Sequence, residues 1–412
     1  MYLFDQSVYS RKLLEKVILK TPLEKNEYYS KLNNANIYFK REDLQIGRSY
    51  KVRGAYSKIT QLSDQEKEIG IVCASAGNHA QGVSIACSMI DIKGIVFMPL
   101  TTPKQKIKKV HDFGGKNIII KLVGDSFDET KKIALDYSNK YNKTFIHPFD
   151  DEKVIAGQGS VGLEINEQIN KVIDILIVPI GGGGLAAGLC SVFNVLSPKT
   201  KIIGVEPEGA PSMTNALKNN KPKETKLTDN FVDGASVSMV GEINFNICKD
   251  KLSKILTISE GHICSIILKL YNEQGIVIEP AGALSICALE LLNVKDQNVV
   301  CIISGGNNDI SRSEEIKERA LIYENLKHYF LINFPQRAGV LKDFVTDVLG
   351  PKDDITFFQF SKKNNKETGP AVVGIELNHR RNIDDLYLKM KERNYQYEYL
   401  NENSLLFNQL IG

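Results

Sequence analysis

Beyond residue 70 the chain alternates between two hydrophobic textures. Short, nearly uncharged apolar runs, as in 71–74, are followed by longer stretches in which apolar residues return every third or fourth position, as in 77–89. The first texture reads as a buried strand and the second as a helix packed on one face. The pair repeats as strand 92–98 with helix 103–113, and as strand 117–121 with helix 127–141. A second set runs through helix 154–168, strand 173–178, helix 185–196, strand 201–205, helices 263–271 and 281–291, and strand 298–303. This rhythm predicts an α/β fold: two doubly wound lobes, each built on a parallel sheet, with a ligand cleft between them.

Ahead of that rhythm, residues 5–19 read as an amphipathic helix with Val8, Leu13, Leu14, Val17 and Ile18 as its apolar set, ended by Thr21, Pro22 and Leu23. The run 37–43 reads as a short strand and its exit. Ala55, Tyr56, Ile59 and Leu62 then mark a helix. The polar stretch 218–226 reads as an exposed loop, and 312–326 as a charged helix and linker. Past Leu326 the texture changes. Strand 329–333, helix 339–348, strand 355–360, a polar turn at 362–366, strand 371–377, helix 383–392 and strand 396–400 follow. That order, βαββαβ, is ferredoxin-like. It predicts one domain at 1–324 and another at 325–412.

A length of 412 residues agrees with two or three domains and a large core. The 52 Lys and Arg residues stand against 49 Asp and Glu, a formal charge of +3. Neither nucleic acid nor an anionic membrane is expected as a main partner. The densest basic run, 104–109, alternates with an apolar helical face and reads as a solvated helix. The uncharged run 175–198 is long enough to span a bilayer, but Pro179 and four glycines break it into a strand and a helix. The seven cysteines form no C-x-x-C pair, most stand in apolar runs, and the N-terminus shows no secretory pattern. Reduced thiols in the cytoplasm, and no metal site, are expected.

Lys51 is the first candidate for chemistry. It stands between the expected strand 37–43 and the helix that follows, where a lysine can be partly desolvated. Burial disfavours the ammonium form, lowers the pKa and leaves an amine able to attack a carbonyl. Gly54 allows a large planar group close to the backbone. Gly181, Gly182, Gly183, Gly184 and Leu185 lie between strand 173–178 and helix 185–196. Main-chain N–H groups at such a helix start, with the helix dipole, suit a phosphate. The same glycines also satisfy a dinucleotide fingerprint, with Glu206 at the end of the next strand in the ribose-binding position. A nicotinamide-dependent oxidoreductase is therefore a rival reading, and it leaves Lys51 and the loop 75–82 without a role. Ser304 follows strand 298–303 at the carboxyl end that points into the cleft; a turn serine capping the next helix is its plain alternative. Ser75 also fits an N-cap, Glu279 a helix N-terminal acid, and Tyr50 core packing.

Five segments come in a telling order: SYKVRGAY at 49–56, SAGNHAQG at 75–82, GGGGL at 181–185, EPAGA at 279–283 and SGGNND at 304–309. Together they resemble the fold-type-II pyridoxal-phosphate enzymes, and among these the biosynthetic threonine dehydratases. Segments 334–341, 349–351 and 373–377 resemble the ACT-like regulatory domain of that family, with Ala338 where the family usually has proline. One regulatory unit fits here, where long members carry two.

The resemblance implies pyridoxal 5'-phosphate as cofactor. Lys51 would carry it, the 181–185 loop would hold its phosphate, Ser304 would meet the pyridine nitrogen, Asn78 the ring hydroxyl, and Tyr50 would stack near the ring. A hydroxyl is a weaker partner for the ring nitrogen than a carboxylate, which favours elimination over transamination. Ser75, Gly77 and His79 would hold the substrate carboxylate, and Glu279 would face the substrate. The implied reaction turns L-threonine into 2-oxobutanoate and ammonia at the entry to isoleucine synthesis. Isoleucine as feedback inhibitor, valine as its opponent, and a homotetramer follow from the same likeness. A catabolic threonine or serine dehydratase, or another fold-type-II lyase, shares the cofactor motifs. A sensor built on a dead enzyme would have lost Lys51 or Ser304, and both are present.

Overall fold

The computed structural model describes residues 2–360 and 367–411, so the turn expected at 362–366 lies outside the described residues. The chain forms two compact units, Met1–Asp309 and Ile310–Gly412. In the first unit the strands are, in chain order, β1 (Leu23–Lys25), β2 (Asn36–Arg41), β3 (Ile71–Ala74), β4 (Gly94–Met98), β5 (Ile118–Leu122), β6 (Thr144–Phe145), β7 (Ile175–Pro179), β8 (Lys201–Pro207), β9 (Leu252–Ile258) and β10 (Asn298–Ile303).

Among the described residues these strands make two sheets. The smaller, ordered β5-β4-β3-β6, is parallel throughout. The larger, ordered β1-β2-β10-β7-β8-β9, is parallel except for its antiparallel edge strand β1. Helices cover both faces, which is why the central strands are continuously apolar rather than alternating. In β3, Ile71 and Cys73 share a core with Ala55, Ile59, Ala80 and Val83, while Val72 and Ala74 pack with Ala134 from the other side. The loops that leave the carboxyl ends of β3, β7 and β10 begin at Ser75, Ile180 and Ser304. Open parallel sheets bind their ligands beyond those ends.

The first helix, Tyr2–Leu14, departs from the expectation of 5–19 with a broad apolar face. It buries Ser7, Ser10 and Leu14, and Val17 and Ile18 lie beyond its end. The reason is close helix packing. A Cβ on Gly159, in the helix Glu152–Gln168, would sit 2.3 Å from Ser7 Oγ, and one on Gly188 would sit 2.7 Å from Gly159 N. Only small side chains fit there, and Ser10 Oγ hydrogen-bonds Ser57 Oγ at 2.8 Å. All seven cysteines are buried free thiols. Among the described residues no helix is long and apolar enough to cross a membrane.

The second unit holds β11 (Lys327–Pro335), β12 (Asp354–Phe360), β13 (Thr368–Glu376) and β14 (Gln396–Tyr399). They pair antiparallel in the order β12-β13-β11-β14, the ferredoxin-like arrangement. The helices Val340–Asp347 and Asn382–Glu392 supply Phe344, Leu386 and Met390 to a core shared with Phe330, Ile332 and Val373. The helix Ser313–Tyr323 belongs to this unit: its Glu318 accepts from the Tyr329 hydroxyl and lies 3.7 Å from Lys327 Nζ.

Candidate functional site

Lys51 opens the helix Lys51–Thr60, with Tyr50 as its N-cap residue. Two main-chain bonds tie that turn to the exit of β10: Tyr50 N donates to Ser304 O at 3.3 Å, and Gly306 N donates to Arg48 O at 2.9 Å. Gly82 brings the helix Asn78–Ile90 onto the same turn, since a Cβ there would lie 2.9 Å from the Lys51 carbonyl carbon. The Lys51 amine, Nζ, is 3.0 Å from Pro148 O and 5.3 Å from the centre of the Tyr50 ring. Burial pushes its pKa down to about 8, against the opposing pull of Glu279.

Two positions on, Arg53 is fully buried between two carboxylates. It makes paired bonds of 2.8–2.9 Å to Glu42 and to Glu164, and Lys40 donates to Glu164 at 2.7 Å. Two positive and two negative charges balance, and the helix that begins at Lys51 is anchored by them.

A cavity of about 1050 Å³ lies in front of Lys51. Gly181–Gly184 borders it at the start of the helix Gly184–Leu196. Side chains are excluded along that loop: a Cβ on Gly182 would lie 2.3 Å from the Phe149 ring, and one on Gly184 2.9 Å from Phe149 O. Gly183 has φ +92, which favours glycine. Asn244 clamps the loop by donating to Gly182 O at 2.8 Å and Phe149 O at 3.1 Å. Ser304 is 3% exposed and borders the cavity from the exit of β10, the strand that pairs with β7 in the same sheet.

The third side comes from the loop after β3. Ser75 Oγ accepts from Gly77 N at 3.2 Å, and Asn78 begins the helix Asn78–Ile90. Asn78 Nδ2 donates to both Glu279 oxygens, at 2.8 and 2.9 Å. Glu279 precedes the helix Pro280–Cys287, and burial raises its pKa to about 7 although the Asn78 bond opposes this. The His79 ring is turned onto Ile146 O at 2.9 Å, and burial holds its pKa down at about 3. Its ring is neutral and engaged, so its main-chain N–H at the helix start is what remains for a carboxylate.

The structure thus gathers Tyr50, Lys51, Ser75, Gly77, Asn78, His79, the 181–185 loop, Glu279 and Ser304 around one cavity. Two expectations change. Lys106 and Lys109 are not only solvated: Lys106 pairs with Asp233, and Lys109 donates to Asn307 Oδ1 at 3.1 Å, both at the cavity wall. Glu206 does not stand ready for a ribose. It is buried and accepts from Met213 N at 2.6 Å, Thr214 N at 2.9 Å and Thr214 Oγ1 at 2.8 Å, closing the helix Ser212–Asn219. The dinucleotide reading loses its acid.

His147, Pro148, Phe149, Asn244 and Asn307 were not foreseen at the site. His147 Nδ1 accepts from Asp150 N at 2.8 Å, and burial lowers the ring pKa to about 4. The loop 147–150 and the helix Glu242–Cys248 carry no local pattern that marks them; only Asn307 lay inside a recognised segment.

Residues 14–305 match the family described as pyridoxal-phosphate dependent enzyme, and residues 318–410 match the C-terminal regulatory domain of threonine dehydratase. The L-threonine dehydratase biosynthetic IlvA of Halalkalibacterium halodurans is 49% identical over 409 residues, covering 99% of each chain. Its namesake in Bacillus subtilis is 49% identical over 397 residues, 96% of this chain and 94% of the relative. Among solved structures, the processed form of threonine deaminase isoform 2 from Solanum lycopersicum superposes with a TM-score of 0.73 and 38% identity, over 77% of this chain and 93% of that one.

Proposed function

The chain belongs to the pyridoxal-phosphate-dependent enzymes and carries the regulatory domain of threonine dehydratase, and from this we propose that it converts L-threonine to 2-oxobutanoate and ammonia. The observation that carries the reading is the amine of half-buried Lys51 facing a side-chain-free glycine loop across one cavity.

The residues present fit the cofactor. The glycine loop at the start of the helix Gly184–Leu196 offers N–H groups to a phosphate, the cradle would be filled by any Cβ at Gly182 or Gly184, and Ser304 offers a buried hydroxyl. Bound pyridoxal phosphate would supply the electron sink that lets the α-proton of an amino acid leave. Lys51 Nζ takes that proton from Cα, since its depressed pKa leaves a useful fraction of free amine near neutrality. Ser304 and Asn78 would orient the ring, Tyr50 would back it, and Ser75 with the Gly77 and His79 amides would bind the substrate carboxylate. Glu279 faces the substrate side and, near neutrality, can hold or release a proton there.

The unit Met1–Asp309 is assigned to catalysis and the unit Ile310–Gly412 to regulation. Isoleucine is assigned as feedback inhibitor, valine as the opposing effector, a homotetramer as the assembly and the cytoplasm as the compartment. Both full-length bacterial relatives carry "biosynthetic" in their names, which supports threonine over a catabolic role.

The test is direct. L-threonine added to the purified protein should change its visible absorption band while 2-oxo acid accumulates. L-serine run in parallel reads the preference for one methyl group, worth about 1–3 kcal/mol in a pocket. Isoleucine titrated against turnover should lower the rate. A coloured protein indifferent to threonine would sink the substrate, and a flat isoleucine response would sink the feedback.

A further inference from the structure

Asn307 borders the cavity but was assigned no role from the sequence. Its Nδ2 donates to Asn78 Oδ1 at 2.7 Å, to Gly47 O at 2.8 Å and to Gln81 Oε1 at 3.2 Å. Its Oδ1 accepts from Lys109 Nζ at 3.1 Å. A main-chain carbonyl can only accept and a lysine ammonium can only donate. Gly47 O and Lys109 therefore fix which end of the Asn307 amide points which way. With its NH2 group toward Asn78, Asn78 must turn its own oxygen to Asn307. The NH2 group of Asn78 is then left for Glu279, whose oxygens lie 2.8 and 2.9 Å from it. A reversed Asn78 would set donor against donor at Asn307 and oxygen against carboxylate at the buried Glu279, a costly arrangement for polar groups held partly out of water. Asn78 and Lys109 stand on helices beside the small sheet, whereas Asn307 and Glu279 stand on loops beside the large one. The chain of bonds crosses the cleft at each step.

We propose that Asn307 is a positioning residue for the elimination: it sets the amide orientation of Asn78, and through Asn78 the bond that holds Glu279 at the cavity. This rests on reading the cavity as a lyase site. The charged and titratable groups that act on Glu279 are Lys51, Tyr50, Asp233 and Lys106.

The test uses full-length, cofactor-loaded enzyme carrying Asn307→Asp or Asn307→Ala, each with and without Asn78→Ala. A carboxylate at 307 cannot donate to Gly47 O or Asn78 Oδ1. Either single change should lower kcat by about 10²-fold with a smaller effect on KM, the scale of a misplaced reacting group. In Asn307→Ala, which adds no charge, the Glu279 carboxyl, identified as the infrared band missing from Glu279→Gln, should protonate at a higher pH than in the wild type. On the Asn78→Ala background Asn307→Ala should cost nothing more, because no amide remains to be oriented. Should Asn307→Asp fail to fold, Asn307→Ala still carries the cycle. Losses from Asn307→Ala that simply add on the Asn78→Ala background overturn the proposal, as does an unmoved band with unmoved kcat. A wild type that forms no 2-oxo acid would overturn the lyase reading instead, and the infrared comparison would still decide the role of Asn307.

Discussion

Lys51 Nζ donates to the main-chain oxygen of Pro148 at 3.0 Å. A peptide oxygen accepts equally from an amine or an ammonium, and it brings no full negative charge to offset burial. The Lys51 pKa is therefore low, about 8. Between about 8 and the ordinary lysine value the unfolded chain holds a proton that the folded chain has lost, so stability rises with pH across that window. Cofactor-free wild type should gain melting temperature relative to Lys51→Met as pH climbs from 8 toward 10. A constant difference between the two would contradict a depressed pKa. In the loaded enzyme, Lys51→Ala should lower turnover by at least about 10²- to 10⁴-fold, the usual contribution of a positioned base.

Glu279 works in the opposite direction. Its folded pKa is raised to about 7 by burial. From the ordinary carboxylate range up to 7 the folded chain holds the extra proton, so stability falls as pH rises through that window, and the full cost stands above it. Glu279→Gln should remove this slope, and the variant should compare best with wild type above pH 7. The acid limb of the pH–rate profile should change in the same variant. Parallel melting curves for the two proteins from pH 5 to 8 would show that Glu279 does not titrate there.

Gly182→Ala puts a methyl group where the Phe149 ring already lies, 2.3 Å away. Phe149 cannot retreat freely, because its carbonyl is held by Asn244 at 3.1 Å. The expected cost is about 1–3 kcal/mol of overpacking. Much of it should appear as weaker cofactor binding, on the order of tenfold or more by the usual conversion. Titrating cofactor into the cofactor-free variant, with absorbance as readout, measures it; wild-type affinity would mean that the cradle lies elsewhere.

The parallel lobes were legible because apolar runs such as Ile71–Ala74 and Ile175–Pro179 are buried on both faces and flanked by periodic helices. Short helices were not. Asp64–Ile69 has no apolar face, although its capping box, Ser63 with Glu66, was written in the sequence. Glu27–Asn33 and Ser404–Leu410 each begin with an asparagine cap that resembles any turn. Within the site, Lys51 and the 181–185 loop could be proposed because amine and phosphate chemistry demand particular types there, whereas Asn78, Glu279 and Ser304 were named through the family resemblance. Asn307 and Phe149 act through contacts 229 residues from Asn78 and 33 residues from Gly182 in sequence, and no local pattern encodes such distances. The buried Arg53 was hidden for the same reason: its two carboxylates come from separate elements.

That buried cluster yields the last prediction. Arg53 and Lys40 face Glu42 and Glu164, with all four side chains at most 1% exposed. Glu164→Gln leaves one positive charge without its partner in the interior, and breaking such a pair costs about 3–5 kcal/mol. Lys40 should suffer more than Arg53, since Arg53 keeps both bonds to Glu42 while Lys40 keeps only Thr21 O and Gln168. Lys40→Met alone leaves the opposite imbalance. The double change, Lys40→Met with Glu164→Gln, restores neutrality around the Arg53–Glu42 pair. It should therefore lose less stability than the sum of the two single changes, a coupling that denaturant unfolding can read. Because Arg53 stands two positions after Lys51, the double variant should also recover turnover along with stability. Additive losses would show that the four charges do not act as one anchor for the helix that presents the lysine.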